Sequence, residues 1–483
     1  MNTLMAALAA LAVAQAPLQT TAGTPAPAAT VTATVDAPTS APAAASAAAP
    51  ITDGALLTLD GALRRASEAN LDLKAAQAKL SQARAGVWKA WSYHLPQVSA
   101  AGSLTRNNEG ATLPWPVAWS VDVPAGAGGT YPVTVSQVVP VEIQARDQRG
   151  AQVQANQALF APSLWFAIRA AYQGEGVAEQ SVEQARREIL FGVAQAYYGV
   201  ASLKKLVRIS EELLGIAQRQ EKDAKVRLEA GTIPKVGALR GQIERTRAEQ
   251  DLLRSRNAYE SARISLATLL DRDTAFEVEE PAEPALPQSM EGLEDQALKL
   301  RPDVLAARYA EGLATNLRRS TMAQYLPSVG AFGRWQYANV GGFTGKDTSW
   351  AVGLAATWNI LDGGLREATI RENGAKLAEA EANRRNLEIK ATAEVRQALL
   401  DLDSARANAV KSREQARLAE ENQRLVDLSF KAGAATAVEQ ADATAQLRAA
   451  SFGATADELS ARLAAIKLLK VAGASDPARV SAR

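Results

Sequence analysis

The sequence contains no cysteine and one histidine (His94), and aromatic residues make up only 5% of its 483 positions. Without cysteine there is no disulfide framework, thiolate zinc site, thiol nucleophile or lipid-bearing thiol. A lone imidazole excludes multi-histidine metal centres and leaves a Ser-His-Asp triad with no choice of base. Charge of one sign is also missing: 53 Lys+Arg face 52 Asp+Glu, a formal charge of +1. That balance offers no electrostatic ground for a nucleic-acid partner. The hydrophobic share of 47% is ordinary, but alanine is its largest component. So little bulk cannot fill several conventional cores, and long, closely packed helices use it better.

The chain opens on a short apolar run, Leu4 to Ala16, ending in Ala14-Gln15-Ala16. This predicts a secretory signal peptide over 1–16, too short to span a bilayer. Residues 17–54 follow as an Ala/Pro/Thr/Ser leader with six prolines up to Pro50, a composition that does not fold. Beyond it no apolar run reaches about 18 residues, so no membrane-spanning helix is expected.

What is present is duplication. His94-Leu95-Pro96-Gln97-Val98-Ser99-Ala100 returns as Tyr325-Leu326-Pro327-Ser328-Val329-Gly330-Ala331, and Glu229-Ala230-Gly231-Thr232 as Lys431-Ala432-Gly433-Ala434. Two copies of one unit are therefore expected: a first repeat over 55–275 and a second over 293–472. An acidic, proline-bearing linker (276–292) separates them and a tail (473–483) follows. Copy one is longer through an insertion between Asn107 and Gly150 rich in Gly, Pro and Trp.

Each copy reads helix, strand, loop, strand, very long helix, turn, helix. No proline interrupts the chain between Pro162 and Pro234, or from Pro327 to Pro477. Apolar residues there alternate three and four apart: Val193, Ala196, Val200, Leu203, Val207, and Ala391, Val395, Ala398, Leu402, Ala405, Ala409. These are coiled-coil seams with alanine in many knob positions. The two long helices (164–230 and 365–432) would each reach about 100 Å. A return helix (234–271 or 438–471) stacked on a leading helix (60–91 or 294–323) would span about the same length.

The strands carry a membrane pattern. Trp350, Val352, Leu354, Ala356, Trp358 and Ile360 alternate with small or polar residues, as do Val153, Ala155 and Leu159 with Gln152, Gln154 and Asn156. Trp350, Val352, Leu354, Trp358 and Ile360 are predicted to face lipid. Two further strands are expected near 98–104 and 329–337. All eight Trp lie between 88 and 358, whereas Leu361 to Val471 hold only Phe430 and Phe452 as aromatics. Aromatic girdles of a barrel would produce this bias. Four strands cannot close a channel, and open edges are not tolerated in lipid, so the membrane reading demands several copies. Three copies give twelve strands.

The sequence resembles the TolC-like outer-membrane efflux protein family. The resemblance rests on the repeated Leu-Pro-x-Val (Leu95–Val98, Leu326–Val329), Arg301-Pro302-Asp303, and Leu159-Phe160-Ala161-Pro162-Ser163-Leu164-Trp165. It rests also on Trp358-Asn359-Ile360-Leu361-Asp362-Gly363-Gly364 and the Ala-Gly hairpin tips. It implies a mostly α fold with a transmembrane β-barrel: a homotrimer whose twelve-stranded barrel sits in outer-membrane lipid and continues as an α-helical tunnel through the periplasm. The implied partners are a periplasmic adaptor (membrane fusion) protein and an inner-membrane pump, in multidrug efflux or type I secretion. No cofactor is implied. The resemblance places the periplasmic entrance at the second tip, Phe430 to Asp442. Phe430 and Gly433 mark the tip itself. Glu439 and Asp442, three apart on one helical face, would form an acidic ring in three copies. Gly231, Thr232, Gly433 and Ala434 are candidate adaptor-docking positions, although glycine also ends each long helix for conformational reasons alone. Phe430 stands where the family often has Tyr, Ala435 where some members have a basic residue, and Gly237 at the matching acidic position of tip one. The family's ion-pair lock thus lacks its partners at these positions.

Other signals fail on chemistry. Gly342-Phe343-Thr344-Gly345-Lys346-Asp347 lacks the spacing and following helix of a phosphate loop and reads as a hairpin loop. His94, beside Tyr93 and Trp91, reads as a packing residue. No nucleophile has a base beside it, so a non-enzyme is expected. The competing reading is a secreted or periplasmic coiled-coil scaffold, which explains the alanine seams but not the clustered Trp or the alternation at 350–360.

Overall fold

The computed structural model describes residues 56–126, 128–284, 286, 290–340, 346–474 and 476. The expected signal peptide and leader, Gly342 to Gly345 of the glycine-rich loop, and most of the tail lie outside the described residues.

Copy one runs β1 (Leu56–Leu57), α1 (Leu59–Ala69), α2 (Leu71–Ser92), β2 (Gln97–Arg106), β3 (Ala111–Ala125), β4 (Gly129–Gln144), β5 (Asp147–Phe160), α3 (Pro162–Glu229) and α4 (Lys235–Leu269). After β6 (Glu277–Val278), copy two runs α5 (Leu293–Leu300), α6 (Pro302–Met322), β7 (Ser328–Ala338), β8 (Thr348–Thr357), α7 (Leu365–Lys431) and α8 (Ala437–Val471). The long helices α3 and α7 have 68 and 67 residues, about 100 Å each. Pro162 starts α3 at its first turn, where a missing N–H costs nothing. The α7 start follows Gly363 and Gly364, both at positive φ (69° and 87°), a pair of conformations that only glycines adopt freely.

Each expected leading helix is in fact two helices joined at one residue, Asn70 through a side-chain cap and Arg301 through the proline that follows it. Asn70 leaves helical geometry, and its Oδ1 accepts from the N–H groups of Asp72 and Leu73 at 2.9 and 3.2 Å. Arg301 is held extended by the following proline, and its guanidinium grips Asp303 at 3.1 and 2.7 Å. The joints rest on the ends of the return helices. Asn70 Nδ2 donates to Leu269 O (3.4 Å), and Arg187 bridges Leu300 O (2.9 Å) and Gly473 O (3.0 Å). Each return helix therefore ends at the joint inside its copy's leading pair, not at the start of the pair as the length arithmetic assumed.

The main core lies where these joints meet. Phe191, Val193, Tyr197 and Val200 of α3 pack with Leu63, Leu266, Leu270, Ile466 and Leu469. Tyr197 donates its hydroxyl to Leu57 O or Glu279 O (2.7 and 3.0 Å), and burial pushes its phenol pKa up. The linker contributes more than spacing: Phe276 and Val278 enter this core, and β6 pairs in parallel with β1. A smaller cluster joins Val395, Ala398 and Leu402 of α7 to Leu293 and Leu468. The seam residues Val193, Val200, Ala391, Val395 and Ala398 are fully buried, close alanine-based packing of the kind the heptad pattern predicts.

The main sheet is antiparallel in the order β2-β5-β7-β8. Two sequence expectations need correction. The insertion is not a loop but a long hairpin, β3–β4, with its own two-stranded ladder. Trp358 and Ile360 lie past the end of β8. There, Trp358 Nε1 donates to Tyr325 O (3.0 Å), and Arg366 takes the carbonyls of Asn359 and Ile360 (2.9 and 3.4 Å). With those groups committed to the junction, the ladder stops at Thr357.

Candidate functional site

Strand register sorts the main sheet into two chemically distinct faces. On one, Ala100, Val153, Trp335 and Trp350 form a lateral row, and Val98, Ala155, Gly333 and Val352 the next. On the other, the rows are Ala101, Gln152, Gln336, Ser349 and Ser99, Gln154, Arg334, Ala351. Amides link along this polar face, Gln152 to Gln154 and Gln154 to Asn156, at 3.1 Å each. An apolar face and a polar face, both open, cannot both be explained by a water-facing sheet on a core. Trp350 is 76% exposed and Leu354 70%. The outer edges of β2 and β8 are paired to no strand among the described residues, and neither strand contains proline, so their N–H and C=O groups remain competent to pair.

Between sheet and helices sits a buried arginine. Arg366 is 5% exposed, lies 3.9 Å from the Tyr325 ring centre, and donates to Gln324 O (3.3 Å) as well as to the two carbonyls named above. Tyr325 in turn donates to Glu367 (2.7 Å). This bond comes first among the influences that hold the Glu367 carboxyl below its usual range. The Trp358-Asn359-Ile360-Leu361-Asp362-Gly363-Gly364 motif thus builds a clamp that fixes where β8 ends and α7 begins.

At the other end of the long helices, Gly231 and Gly433 take positive φ (73° and 79°) and close α3 and α7. Gly231, Thr232, Gly433 and Ala434 are all exposed. Phe430 is not: it is 3% exposed, with the Arg227 guanidinium 4.7 Å above its ring. Arg227 also donates to Lys431 O (2.8 Å), binding tip one to tip two within the chain. Sequence reasoning missed Arg227; its position one turn before the Ala-Gly tip was the available signal. Glu439 and Asp442 are exposed on the first turns of α8. Glu439 has a structural task of its own: it accepts from Thr436 N (2.7 Å) and Thr436 Oγ1 (3.0 Å) in a capping box. These bonds hold its carboxyl below the usual range, so it is charged at neutral pH. Asp442 accepts from Gln446 (2.7 Å). Among the described residues no helix is long and apolar enough to cross a membrane, and no group of three or more His, Cys, Asp or Glu could hold a metal ion. His94 sits edge-on to Trp91, with ring centres 6.4 Å apart.

Comparison with known proteins matches this geometry to a family. The "Outer membrane efflux protein" profile matches residues 62–272 and 293–474. The outer membrane efflux protein BepC of Brucella suis biovar 1 (strain 1330) is 23% identical over 365 residues, covering 74% of this chain and 72% of BepC. Among solved structures, the outer membrane protein VceC of Vibrio cholerae superposes with a TM-score of 0.70 at 19% identity, over 86% of this chain and 96% of VceC. The open state of the MtrE outer membrane channel of Neisseria gonorrhoeae gives 0.67 at 19% identity, over 86% and 88%. CusC gives 0.71 at 17% identity, over 86% and 92%. At such identities the structures speak for the shared fold, while the profile, matching both repeats, speaks for descent. The chain belongs to the outer membrane efflux protein family, a family of channel proteins of the Gram-negative outer membrane.

Proposed function

We propose that three copies of this chain assemble into a twelve-stranded barrel in outer-membrane lipid continued by a helical tunnel in the periplasm. In this reading the duct passively conducts substrates delivered by a periplasmic adaptor and an inner-membrane pump, in efflux or type I secretion. The carrying observation is the pair of open edges. β2 and β8 bound a sheet of four antiparallel strands. An even number lets β8 of one chain meet β2 of the next in the same antiparallel sense, so the ladder closes without a defect. The apolar rows then face lipid and the glutamine rows line the pore. Light scattering of the detergent-purified protein tests this. A mass of three chains, each 51.0 kDa less the expected signal peptide, and rods of about 100 Å in the microscope are expected. A water-soluble monomer refutes the reading.

The exposed carboxylates of Glu439 and Asp442 support an acidic ring at the entrance, six charges in three copies, that favours cations. Because Glu439 also caps α8, the test uses Glu439→Gln, which keeps an acceptor, together with Asp442→Asn. Reduced cation selectivity in planar bilayers is expected, and unchanged selectivity removes the assignment. The exposed tip residues Gly231, Thr232, Gly433 and Ala434 are the proposed adaptor contacts. Bulky substitutions at Thr232 and Ala434 should weaken adaptor crosslinking without altering trimer mass.

A further inference from the structure

The hairpin β3–β4 rises from the far ends of β2 and β5, away from the helices. Its strands have 15 and 16 residues, a reach of about 50 Å. Register places Trp115, Trp119 and Val121 of β3 on one face with Val139, Val135 and Val133 of β4 directly opposite. Trp115 and Trp119 are 49% and 43% exposed, and Tyr131 at the same face 53%. These three aromatics alone present on the order of 300 Å² of exposed apolar surface, the size at which a patch marks an interface.

The opposite face shows how that interface is not made. Pro114, Pro116, Pro124, Pro132 and Pro140 all lie on it, and Pro114 stands directly across from Pro140. Two facing prolines fit an antiparallel pair only at a non-hydrogen-bonded site, where the absent N–H would have pointed outward. All five share that phase, so both outer edges of the ribbon lack N–H groups at several steps. Strand addition is thereby blocked, in contrast with the proline-free edges of β2 and β8. A two-stranded ribbon is at best marginally stable alone in water, so its apolar face has to be covered by packing rather than by pairing. From Asn107 to Ala145 there are three acidic residues (Glu109, Asp122, Glu142) and no Lys or Arg, which does not suit an anionic lipid surface.

We propose that the three sister hairpins pack their apolar faces against one another around the threefold axis, forming an apolar collar beyond the outer mouth of the barrel. This rests on the three-copy reading. The hairpin's stem, β2, is an edge strand that a sister chain must cover, so each ribbon is rooted beside the neighbouring chain.

The native chain has no cysteine, so single-cysteine variants report cleanly. Val121→Cys lies on the apolar face and Asp122→Cys, its neighbour, on the opposite one. Both are oxidised with copper phenanthroline in intact outer membranes and in detergent, beside light scattering of the same samples. V121C is expected to give a dimer-sized band in both media, at least roughly tenfold faster than D122C, because held proximity raises the effective thiol concentration. Equal rates in a sample of trimer mass overturn the collar and leave the duct standing. Protection of V121C from a water-soluble maleimide in membranes but not in detergent, without crosslinking, assigns the face to lipid and likewise overturns the collar. A monomeric mass overturns both.

Discussion

Replacing Arg366 by Met keeps most of the side-chain volume and removes the guanidinium from the junction of β8 and α7. The site is 5% exposed, so water cannot readily replace what is lost. Three carbonyls, of Asn359, Gln324 and Ile360, lose donors at 2.9, 3.3 and 3.4 Å. Nε contributes little, lying 3.9 Å from Asp362 and 4.0 Å from Glu367, beyond hydrogen-bond reach. Only the bond to Asn359 O is short, so one full unsatisfied acceptor at about 1–3 kcal/mol is the main loss. The cation over Tyr325, 3.9 Å from the ring centre, adds about 1–2 kcal/mol in a desolvated setting. A total near 3–4 kcal/mol is about 10²–10³ in the opening equilibrium of this turn. Hydrogen exchange followed by mass spectrometry on the detergent-purified protein reads it directly. Amides from Asn359 to Arg366 should exchange faster by about that factor, while the α3–α8 core around Tyr197 is unchanged. Arg366→Lys, able to reach one carbonyl, should fall between. Acceleration of less than about threefold, under 1 kcal/mol, would refute the claim that this arginine holds the strand end.

Three further outcomes follow from packing and charge. A Cβ at Gly176 would stand 2.5 to 2.9 Å from the Tyr309 ring, so Gly176→Ala should destabilise by about 1–3 kcal/mol. Tyr309→Leu should recover part of this in a double-mutant cycle on thermal unfolding. Arg448 joins α8 to α4 through Glu244 (2.8 Å) and Asp251 (3.5 Å) at 10% side-chain exposure. Arg448→Met, which strands two half-buried carboxylates, should cost about 3–5 kcal/mol in denaturant titration. Burial raises the Asp303 pKa, but the bonds and charge of Arg301 outweigh it and hold the carboxyl below its usual range. The stabilisation is then present above the ordinary aspartate value of about 4 and is lost as pH falls through the lower folded value. Asp303→Asn should flatten that acid limb in a melting-temperature profile, and an unchanged profile would count against the Arg301 latch.

The helices were legible in the sequence because their signals are long and redundant. Seams such as Val193–Val200 and Ala391–Ala398 repeat over many turns, and the proline-free intervals bound them. The breaks at Asn70 and Arg301 were not, since each rests on a single local feature, the Asn70 side-chain cap and the extended residue before Pro302. Arg301-Pro302-Asp303 was visible as a motif, but its meaning, a bidentate grip at a helix joint, appears only with distances. The alternation near Trp350 has the right phase and runs three residues too far, because it persists through Trp358 and Ile360 after the Trp358 indole turns to Tyr325 O and the Ile360 carbonyl to Arg366. The insertion hid a hairpin behind five prolines. Proline argues against a central strand, and only the register shows that all five sit at the one phase that tolerates them.

The two hairpin tips, nearly alike in sequence, are not equivalent in build. At tip one α4 begins after Pro234 with no side-chain cap, and Gly237 offers no carboxylate, only a close approach to Ile233 and to Ala437 of the other tip. At tip two Thr436 and Glu439 cap α8 reciprocally, Gln440 reaches back to Asp427 at 2.8 Å, and Phe430 is sealed under Arg227. The second tip is thus the internally fixed one, and the first is carried on it through Arg227 and the small Gly237 face. Substituting Arg227 by Ala should therefore loosen tip one more than tip two. Faster proteolysis at Gly231–Pro234 than at Gly433–Thr436 is the expected signature. Equal cleavage of both tips would refute the claim that the first tip is carried on the second through Arg227.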